Sequence, residues 1–513
     1  MNLDLHFYQI NNPAPNFLPC DLVTYNLNYK LPGELQNTGG HITVQAAEGT
    51  HSFLNMHLGS DQSELGYPAL TMKGQLRSEP PFLAVSDEYT EFIRSGNIKI
   101  VRGHAKDFSK VHQRTITVED DLEANTPEKI HEITNISAII LATGFDPSPS
   151  LNFLPEEILQ ALQFDPNCDE FPLALNVNTV VNRSLPTLGF VGFYRSPYWG
   201  VMEMQARYLA RLWSGDAQAT KALEEDTSMD TMLELRRDPR QGQFPMGDYA
   251  YLMEAFAKIL GIKRVEPDPS KDTRSGLVFP GRYTYSDSND VEKAETVAAL
   301  NAFNNTFIDS EISGKFLARA VFRAIQGDWK LERQIESFIS TYPSGTFSAT
   351  AKFSPRCPTE EGYDGEYLYV ESGEFNTTTG MKFTAKRRSA YSLSHFPMST
   401  LHLDEFSFQF ELTILSYAHR YTSSTDKLSA WFIKPDDKTV DYFFHELEFI
   451  IPPPSSRDPN GGWKAKASHF CTPDTYDVQY EFKFQGVQLK EWIMAYTVKG
   501  PQKDYKLKSV YRR

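Results

Sequence analysis

From residue 315 onward the chain consists of short segments in which apolar and polar residues alternate, and this feature constrains the fold most. The segments are similar in length and are separated by polar turns, with no helical pattern between them. We predict strands over 345–353, 365–371, 380–391, 405–415, 428–434, 440–450, 463–470, 474–485 and 490–498. Without crossover helices, such strands pair antiparallel and can close on themselves. The sequence therefore predicts an all-β antiparallel barrel over 315–513.

The rest of the chain has a different pattern, and 513 residues are too many for one ordinary hydrophobic core. Residues 216–314 are charged and partly helical, with helical segments predicted over 249–260 and 291–307. A stretch rich in Pro, Asp and Ser separates these segments. We therefore predict three regions, 1–215, 216–314 and 315–513, with the middle one as a helical appendage or a linker.

Charge, cysteine spacing and hydropathy exclude several classes of function. The net charge of -15 argues against a nucleic-acid surface, because phosphate binding requires clustered Lys and Arg. The four cysteines lie far apart and lack the spacing of zinc ligands, so no metal site is predicted. No run approaches the ~20 apolar residues of a membrane span, and a secretory signal pattern is missing. We expect a cytoplasmic protein without a transmembrane segment, whose oligomeric state stays open.

In the N-terminal region an apolar run from Ser137 to Ala142 ends in Thr143 and Gly144. Such a run predicts a buried strand, and glycine at its carboxyl end lets the backbone approach a ligand. A strand that is buried only for packing has the same pattern, so the run alone does not decide between the two. Before it, we predict a helix over 86–96 and strands over 97–101 and 115–118.

A second apolar run, 185–194, contains Gly192 and predicts another buried strand. An amphipathic helix over 202–212 follows it. Further upstream, the polar segment from His51 to Gly66 either faces a ligand or forms a surface loop with a helix cap at Ser60 or Asp61.

Three segments in this order resemble the C-terminal half of flavin-containing monooxygenases: SDEYTEFIRSGNIKIV, IILATGFD and LPTLGFVGFYRSPYWGVMEMQARYLARLWSG. The resemblance covers about residues 40–215 and implies an α/β flavoprotein with FAD and NADP domains. It implies an NADPH-dependent oxidoreductase that transfers one oxygen atom to a small substrate. The cofactor-binding residues that it implies are Asp61, Gln62, Ala142, Thr143, Gly144, Gly192, Met204, Gln205 and Arg207.

The sequence departs from this family in one respect that bears on activity. The GxGxxG fingerprints that hold the FAD and NADP pyrophosphates do not occur in the chain. Two readings follow from this departure. The chain is a truncated or incomplete monooxygenase fused to a ligand-binding barrel, or it is a catalytically inactive remnant that acts as a ligand-binding or scaffold protein.

Residues 315–513 resemble an uncharacterised family of lipocalin-like barrels. The markers of this resemblance are GDWKLER, GTFSATAKF, YLYVESGEF, RRSAY, HELEF, ASHFCTPDTYDVQYEF and VKGPQKDY. Strand alternation would direct about half of the polar residues inward, where Arg, His and Tyr could bind an anionic small molecule. The candidates are Arg387, Arg388, His445, His469 and Tyr505. In the alternative reading Arg387 and Lys503 face outward and the histidines have structural partners.

Overall fold

A computed structural model describes residues 2–513 with several gaps. The gaps are 4–5, 9–16, 31–34, 36, 38, 72–73, 87, 110–113, 120–129, 145, 194–197, 267–275, 285–289, 340–342, 387–416, 423–426, 435–438, 459–460 and 502. Among the described residues, no helix is long and apolar enough to cross a bilayer.

The N-terminal part, residues 2–314, combines helices with small sheets, as expected for a mixed α/β region. Its helices are α1 (Cys20–Thr24), α2 (Val44–Leu58), α3 (Tyr89–Arg94), α4 (Glu156–Ala161), α5 (Trp199–Trp213), α6 (Ala217–Glu225), α7 (Ser228–Leu235), α8 (Tyr249–Leu260) and α9 (Asp290–Ile312). Its strands are β1 (Asn2–Leu3), β2 (His6–Tyr8), β3 (Phe17–Pro19), β4 (Ala84–Val85), β5 (His104–Ser109), β6 (Thr115–Glu119), β7 (Ile130–Ile133), β8 (Val181–Asn182), β9 (Leu185–Gly189), β10 (Lys263–Arg264) and β11 (Tyr283–Thr284). Strands β5, β6 and β7 form a meander, and the others form two-stranded ladders.

Helices α5, α6 and α8 form the core of this part. Helix α8 begins at Asp248, whose side chain accepts a hydrogen bond from the Tyr251 N–H, and it ends before Gly261, where φ is +66°. Its inner face buries Met253 and Phe256 completely against the inner face of α5. The strong 3.6-residue periodicity of α8 accounts for the agreement with the predicted helix over 249–260.

The C-terminal part consists of helix α10 (Leu317–Ile325) and one antiparallel sheet of twelve strands in the described residues. The strands are β12 (Gly327–Ser337), β13 (Gly345–Arg356), β14 (Gly365–Thr377), β15 (Lys382–Lys386), β16 (Tyr417–Thr422), β17 (Lys427–Ile433), β18 (Val440–Glu446), β19 (Glu448–Ile450), β20 (Trp463–Cys471), β21 (Asp474–Gln485), β22 (Gln488–Lys499) and β23 (Asp504–Arg512). Their order is β18-β17-β16-β14-β13-β12-β23-β22-β21-β20-β19, with β15 paired to β14. The antiparallel all-β prediction is confirmed for the described residues. Closure of the sheet into a barrel is not shown, since no ladder of the described residues joins β18 to β19. The predicted strand over 405–415 lies outside the described residues.

The inner face of this sheet is built by alternation along each strand. In β12, Trp329 and Leu331 are buried while Lys330 between them is exposed. Helix α10 covers one end of the sheet. The Trp329 Nε1–H donates to the Ile325 carbonyl at 2.6 Å, and the Phe322 ring stacks on Tyr367 with centroids 4.1 Å apart.

The end of α2 packs directly against the turn between β21 and β22. The Val487 N–H donates to the His57 carbonyl at 2.9 Å, so the two backbones are hydrogen-bonded directly at this contact. Two glycines permit the approach. A Cβ atom on Gly59 would lie 1.6 Å from the Gln485 carbonyl oxygen, and one on Gly486 would lie 2.3 Å from the His57 oxygen. The N-terminal and C-terminal parts are therefore joined by a close backbone contact.

Substitution of Gly59 by alanine tests this contact. We expect a loss of at least about 3 kcal/mol of unfolding free energy, because left-handed strain and the displacement of Gln485 add together. Gly66 provides a matched control, since it also has a positive φ, +77°, but a Cβ atom there meets nothing within 4 Å. Gly66→Ala should cost only about 1 kcal/mol. Equal losses in denaturant unfolding of the two variants would contradict the close contact.

Two predicted strands of the N-terminal part are wrong. Residues 97–101 and 137–142 form no strand, and in the second segment Ile140 is 90% and Leu141 83% exposed. An apolar run becomes a buried strand only when neighbouring strands pair with it and helices cover it. The described part of the chain supplies no such neighbours here. The second run, 185–194, is a strand only over β9, which is partly exposed.

The finer architecture implied for the N-terminal region, a partial pair of dinucleotide-binding domains, is unconfirmed. In the described residues, the sheets of residues 2–314 have only two or three strands, and β1 with β4 is their only parallel pair. The domain boundaries at 215 and 315 stay predictions.

Candidate functional site

A cavity of about 40 Å³ lies beside α5 and α8 in the N-terminal part. Its walls are mostly apolar, with Phe171, Tyr198, Val201, Met202, Phe244 and Leu252 among the lining residues. Gln205 also lines it and accepts a hydrogen bond from the Gly192 N–H at 2.9 Å. The structure thus brings together two residues that the sequence analysis selected, Gly192 and Gln205. The polar side chains of Glu170, Asn178 and Thr179 also line this mostly apolar cavity. Such a site suits a small molecule.

An unusual backbone segment borders this cavity. Three consecutive residues, Val177, Asn178 and Thr179, have positive φ angles of 52°, 47° and 75°. Such angles are rare for a β-branched residue and mark local strain. The segment is held by hydrogen bonds from the Asn178 N–H to Ser228 Oγ at 2.9 Å and from the Val180 N–H to the Asn176 carbonyl at 2.9 Å. No sequence signal pointed to this segment, because valine and threonine normally avoid the conformation.

The other predicted cofactor residues of this helical region have structural contacts instead. Met204 is fully buried in the core between the helices. Arg207 donates to the Tyr283 carbonyl at 2.6 Å and forms an ion pair with Glu203 one turn earlier. Neither residue lines the cavity.

The remaining predicted residues lie elsewhere. Ala142, Thr143 and Gly144 are exposed and do not lie at the end of a strand. Asp61 accepts hydrogen bonds from the Ser63 N–H at 3.0 Å and hydroxyl at 2.6 Å, as an Asx turn does. Gln62 lines a second, smaller cavity at the contact between the two parts of the chain.

The interior of the C-terminal sheet contains a buried polar network. The Arg333 guanidinium donates to both carboxylate oxygens of Glu371, at 2.8 and 2.7 Å, and to Ser509 Oγ at 2.8 Å. The Tyr369 hydroxyl donates to Glu371 at 2.6 Å and lies 3.1 Å from the Tyr511 hydroxyl. Although burial alone would lower it, the Glu371 carboxylate holds the pKa of Arg333 well above its usual value. Burial, followed by Glu371, raises the pKa of Tyr369.

A second set of polar groups continues across the same interior. His445 Nε2 lies 2.7 Å from the Tyr480 hydroxyl, and both residues are almost completely buried. Burial raises the pKa of Tyr496 well above its usual value, and the neighbouring Tyr480 and Tyr511 add to this effect. Hydroxyls, an imidazole and an ion pair therefore form a polar layer inside an otherwise apolar sheet.

Aromatic side chains lead from this layer toward the end of the sheet opposite α10. We call Phe432, Phe444, His469 and Tyr476 the aromatic rim. The Phe444 ring centroid lies 4.8 Å from Phe432, 4.9 Å from His469 and 6.0 Å from Tyr476. Phe444 also contacts His445 at 4.3 Å, so the structure brings the predicted residues His445 and His469 to one cluster. Burial lowers the pKa of His469.

One cation lies beside the aromatic rim. The Lys503 ammonium donates to the Tyr476 hydroxyl at 2.9 Å and lies 5.6 Å from the centre of the ring. Tyr505, two residues later, is partly buried against the core of the sheet. Arg387 and Arg388 lie outside the described residues.

The sequence analysis missed Arg333, Glu371 and Tyr480. One signal was available for Arg333, because it follows Trp329 and Leu331 at two-residue spacing in GDWKLER and so belongs to their buried face. Its partner Glu371 is 38 residues away, and no local pattern connects the two. Among the described residues, no group of three His, Cys, Asp or Glu side chains is arranged to hold a metal ion.

Comparison with known proteins gives a family match for part of the chain. Residues 325–513 match the model of a family of unknown function, DUF6314. No curated protein matches the chain. Among solved structures, the S-type phycobiliprotein lyase CPES from Guillardia theta is similar, with 6% sequence identity over 38% of this chain and 91% of that chain. The TM-score of this match is 0.23.

These findings correct the resemblance to flavin-containing monooxygenases. The family model that matches the chain is one of unknown function and not one of a flavin enzyme. The expectation of an oxidoreductase or a flavoprotein was therefore wrong. Binding of FAD and NADP(H) and the cytoplasmic location stay untested predictions. What the comparisons establish is that residues 325–513, most of the C-terminal part, match a family whose function is unknown.

Proposed function

We propose that this chain is a small-molecule-binding protein and that the C-terminal sheet, closed into a barrel, holds the ligand at its aromatic rim. The observation that carries the proposal is the polar layer beneath the aromatic rim, where His445 and Tyr480 are buried among apolar side chains. A buried ion pair such as Arg333 with Glu371 adds little to stability compared with apolar residues of similar volume. Its presence is better explained by recognition of a ligand.

Closure of the sheet is supported by the strands at the two ends of its order. Strands β18 and β19 are separated by Leu447 alone. Strand β18 pairs with β17, and β19 pairs with β20. The two strands at opposite ends of the strand order are therefore consecutive in the chain. Side chains span the same junction, with Phe444 of β18 against His469 of β20 and His445 of β18 against Tyr480 of β21.

The chemistry of the site favours a ligand with an aromatic or apolar body and one anionic group. A flat apolar body would enter between the rings of Phe432, Phe444 and Tyr476, which are at most 8% exposed. The Lys503 ammonium beside them can pair with a carboxylate or a sulfonate. Deeper in the sheet, His445 and the tyrosine hydroxyls can exchange hydrogen bonds with further polar groups of the ligand. A non-catalytic binding role accounts for all of these features.

A second candidate is favoured by the cavity beside α5 and α8. Its mostly apolar walls, with the polar groups of Gln205, Asn178 and Glu170, suit a small molecule that carries no negative charge. The two candidates differ in the residues on which binding depends, because the cavity contains neither Lys503 nor His445.

The test uses 8-anilinonaphthalene-1-sulfonate, an aromatic anion that becomes fluorescent in apolar surroundings. We expect Lys503→Met to weaken its binding to the 513-residue protein about 10-fold, since a charge-assisted contact is lost. Tyr480→Phe should weaken it less, because one hydroxyl of the polar layer is removed without a change in shape. Titration of the probe fluorescence, on variants shown to unfold like the unmodified protein, measures both effects.

Lys508→Met is the matched control, because it removes the same charge from an exposed position of β23. It should change the affinity by less than about twofold. Equal effects of Lys503→Met and Lys508→Met would contradict binding at the aromatic rim. A loss of binding in Gln205→Ala, with no effect of Lys503→Met, would favour the cavity beside α5 and α8.

A further inference from the structure

The cavity beside α5 and α8 contains a buried amide group that the protein itself does not pair. Gln205 is 6% exposed, and its side-chain oxygen accepts the hydrogen bond from the Gly192 N–H. Among the described residues, the Gln205 Nε2 group has no hydrogen-bond partner. This nitrogen still keeps some accessible surface, although the residue as a whole is buried. Since Gln205 lines the cavity, the two N–H bonds of its amide are available to a ligand there.

The Thr179 hydroxyl is a second unpaired group in the wall of the same cavity. Thr179 is 5% exposed and lines the cavity. In the described part of the chain its Oγ1 atom has no hydrogen-bond partner, and it too keeps accessible surface. A buried hydroxyl or amide without a partner costs free energy, so such groups are normally hydrogen-bonded. Two of them in one cavity indicate that a bound molecule completes their hydrogen bonds.

The polar groups of the wall define the ligand by their hydrogen-bonding roles. The Gln205 Nε2 group can only donate, so it requires an acceptor such as a carbonyl oxygen. The Thr179 hydroxyl can accept from an N–H, and Asn178 and Glu170 add further acceptor oxygens to the wall. A carboxamide carries a carbonyl oxygen and an N–H side by side and so satisfies both roles. A carboxylate has no N–H and would lie near the carboxylate of Glu170.

The size of the cavity and its apolar walls limit the ligand further. The cavity volume is about 40 Å³. One water needs roughly 10–15 Å³ on this measure, so there is room for about three or four non-hydrogen atoms. The rings of Tyr198 and Phe244, whose centroids lie 4.9 Å apart, belong to the wall and offer a surface for a flat amide group. Val201 and Leu252 suit a methyl group.

We propose that this cavity binds a small neutral carboxamide of the size of acetamide. The Gln205 Nε2 group donates to the carbonyl oxygen of the ligand, and an N–H of the ligand donates to the Thr179 hydroxyl. The inference rests on the cavity as the second candidate of the proposed function and assigns a ligand class to it. It does not depend on the aromatic rim or on the ligand proposed there.

The first test measures the binding of acetamide to the 513-residue protein by saturation-transfer NMR of the acetamide methyl group. We expect saturable binding with a dissociation constant on the order of 1 mM, as for other ligands of so few atoms. Acetone lacks the N–H and acetate is also charged, so each should bind at least about 5-fold more weakly. Equal affinities for acetone and acetamide would overturn the carboxamide assignment but leave a small-molecule cavity. Without saturable binding of any of the three, the cavity itself would be wrong as a binding site.

The Thr179→Val variant removes the hydroxyl and keeps the shape of the side chain. We expect it to bind acetamide about 5-fold more weakly, because one hydrogen bond is lost. Its affinity for 8-anilinonaphthalene-1-sulfonate should be unchanged, which separates this site from the aromatic rim. The matched control is Thr220→Val, since Thr220 is exposed on α6 and its hydroxyl donates to the Asp216 carbonyl of its own helix. Equal acetamide affinities of the two variants would overturn the proposal.

A crystal structure of the protein soaked in acetamide locates the ligand without any variant. The acetamide oxygen should lie within hydrogen-bonding distance of Gln205 Nε2, and the acetamide nitrogen within that distance of Thr179 Oγ1. Density in the cavity that fits only water would overturn the proposal. Acetamide confined to other positions would also overturn it.

Discussion

We expect the Glu91→Gln variant to lose about 3–5 kcal/mol of unfolding free energy, because a buried charge cluster then lacks its central carboxylate. Arg94, Arg323 and Arg513 all pair with Glu91, which is 1% exposed. Once the carboxylate is neutral, three guanidinium groups repel one another in a site that water hardly reaches. Denaturant unfolding of the 513-residue protein, followed by tryptophan fluorescence, measures the loss.

The matched control is Glu225→Gln. Glu225 also pairs with a cation, Lys221 at 3.7 Å, but both side chains are more than two-thirds exposed. This variant should lose no more than about 0.5 kcal/mol. If Glu91→Gln cost as little unfolding free energy as Glu225→Gln, the three arginines would not need the Glu91 charge. That result would contradict a close charge cluster between the two parts of the chain.

The second large effect is expected for Arg333→Met inside the C-terminal sheet. Glu371 is completely buried and receives two hydrogen bonds from Arg333. Removal of the guanidinium leaves a buried carboxylate without its cation, which costs about 3–5 kcal/mol. Because the Tyr369 hydroxyl donates to the same carboxylate, part of the charge stays compensated and the sheet still forms.

A double variant distinguishes the energy lost with the ion pair from the cost of leaving the Glu371 carboxylate buried without its cation. Arg333→Met combined with Glu371→Leu removes both charges, and we expect it to recover most of the stability that Arg333→Met loses. The exposed pair of Lys427 with Glu446 gives the control, since Lys427→Met should cost less than about 1 kcal/mol. If the double variant were as unstable as Arg333→Met, the ion pair itself would stabilise the sheet. Its proposed role in ligand recognition would then be weakened.

Sequence periodicity predicted the elements that carry a strong local pattern. Strand β21 and helix α8 occupy the predicted ranges 474–485 and 249–260, because each has one regular buried face. The predicted strand over 137–142 failed for the opposite reason. Its apolar residues specify burial only if other strands pair with them, and local sequence does not show whether such strands are present.

The candidate sites depend on contacts between distant residues, which explains why they were only partly predicted. A helix was predicted over 86–96, and α3 lies within that range, but no local pattern indicated that it buries Glu91 as well as Ile93. Arg323 and Arg513 compensate its charge from more than 200 residues away. In the C-terminal sheet, His445 and His469 were predicted as site residues. The contact with Phe444 that unites them requires the arrangement of β18 beside β20.

The central claim is that a small aromatic anion binds at the aromatic rim of the C-terminal sheet. A crystal structure of the 513-residue protein with 8-anilinonaphthalene-1-sulfonate tests it most directly. The account predicts the naphthalene ring in van der Waals contact with Phe444 and Tyr476, and the sulfonate within hydrogen-bonding distance of the Lys503 ammonium. Density for the probe only in the cavity beside α5 and α8, or only on the outer face of the sheet, would contradict the account.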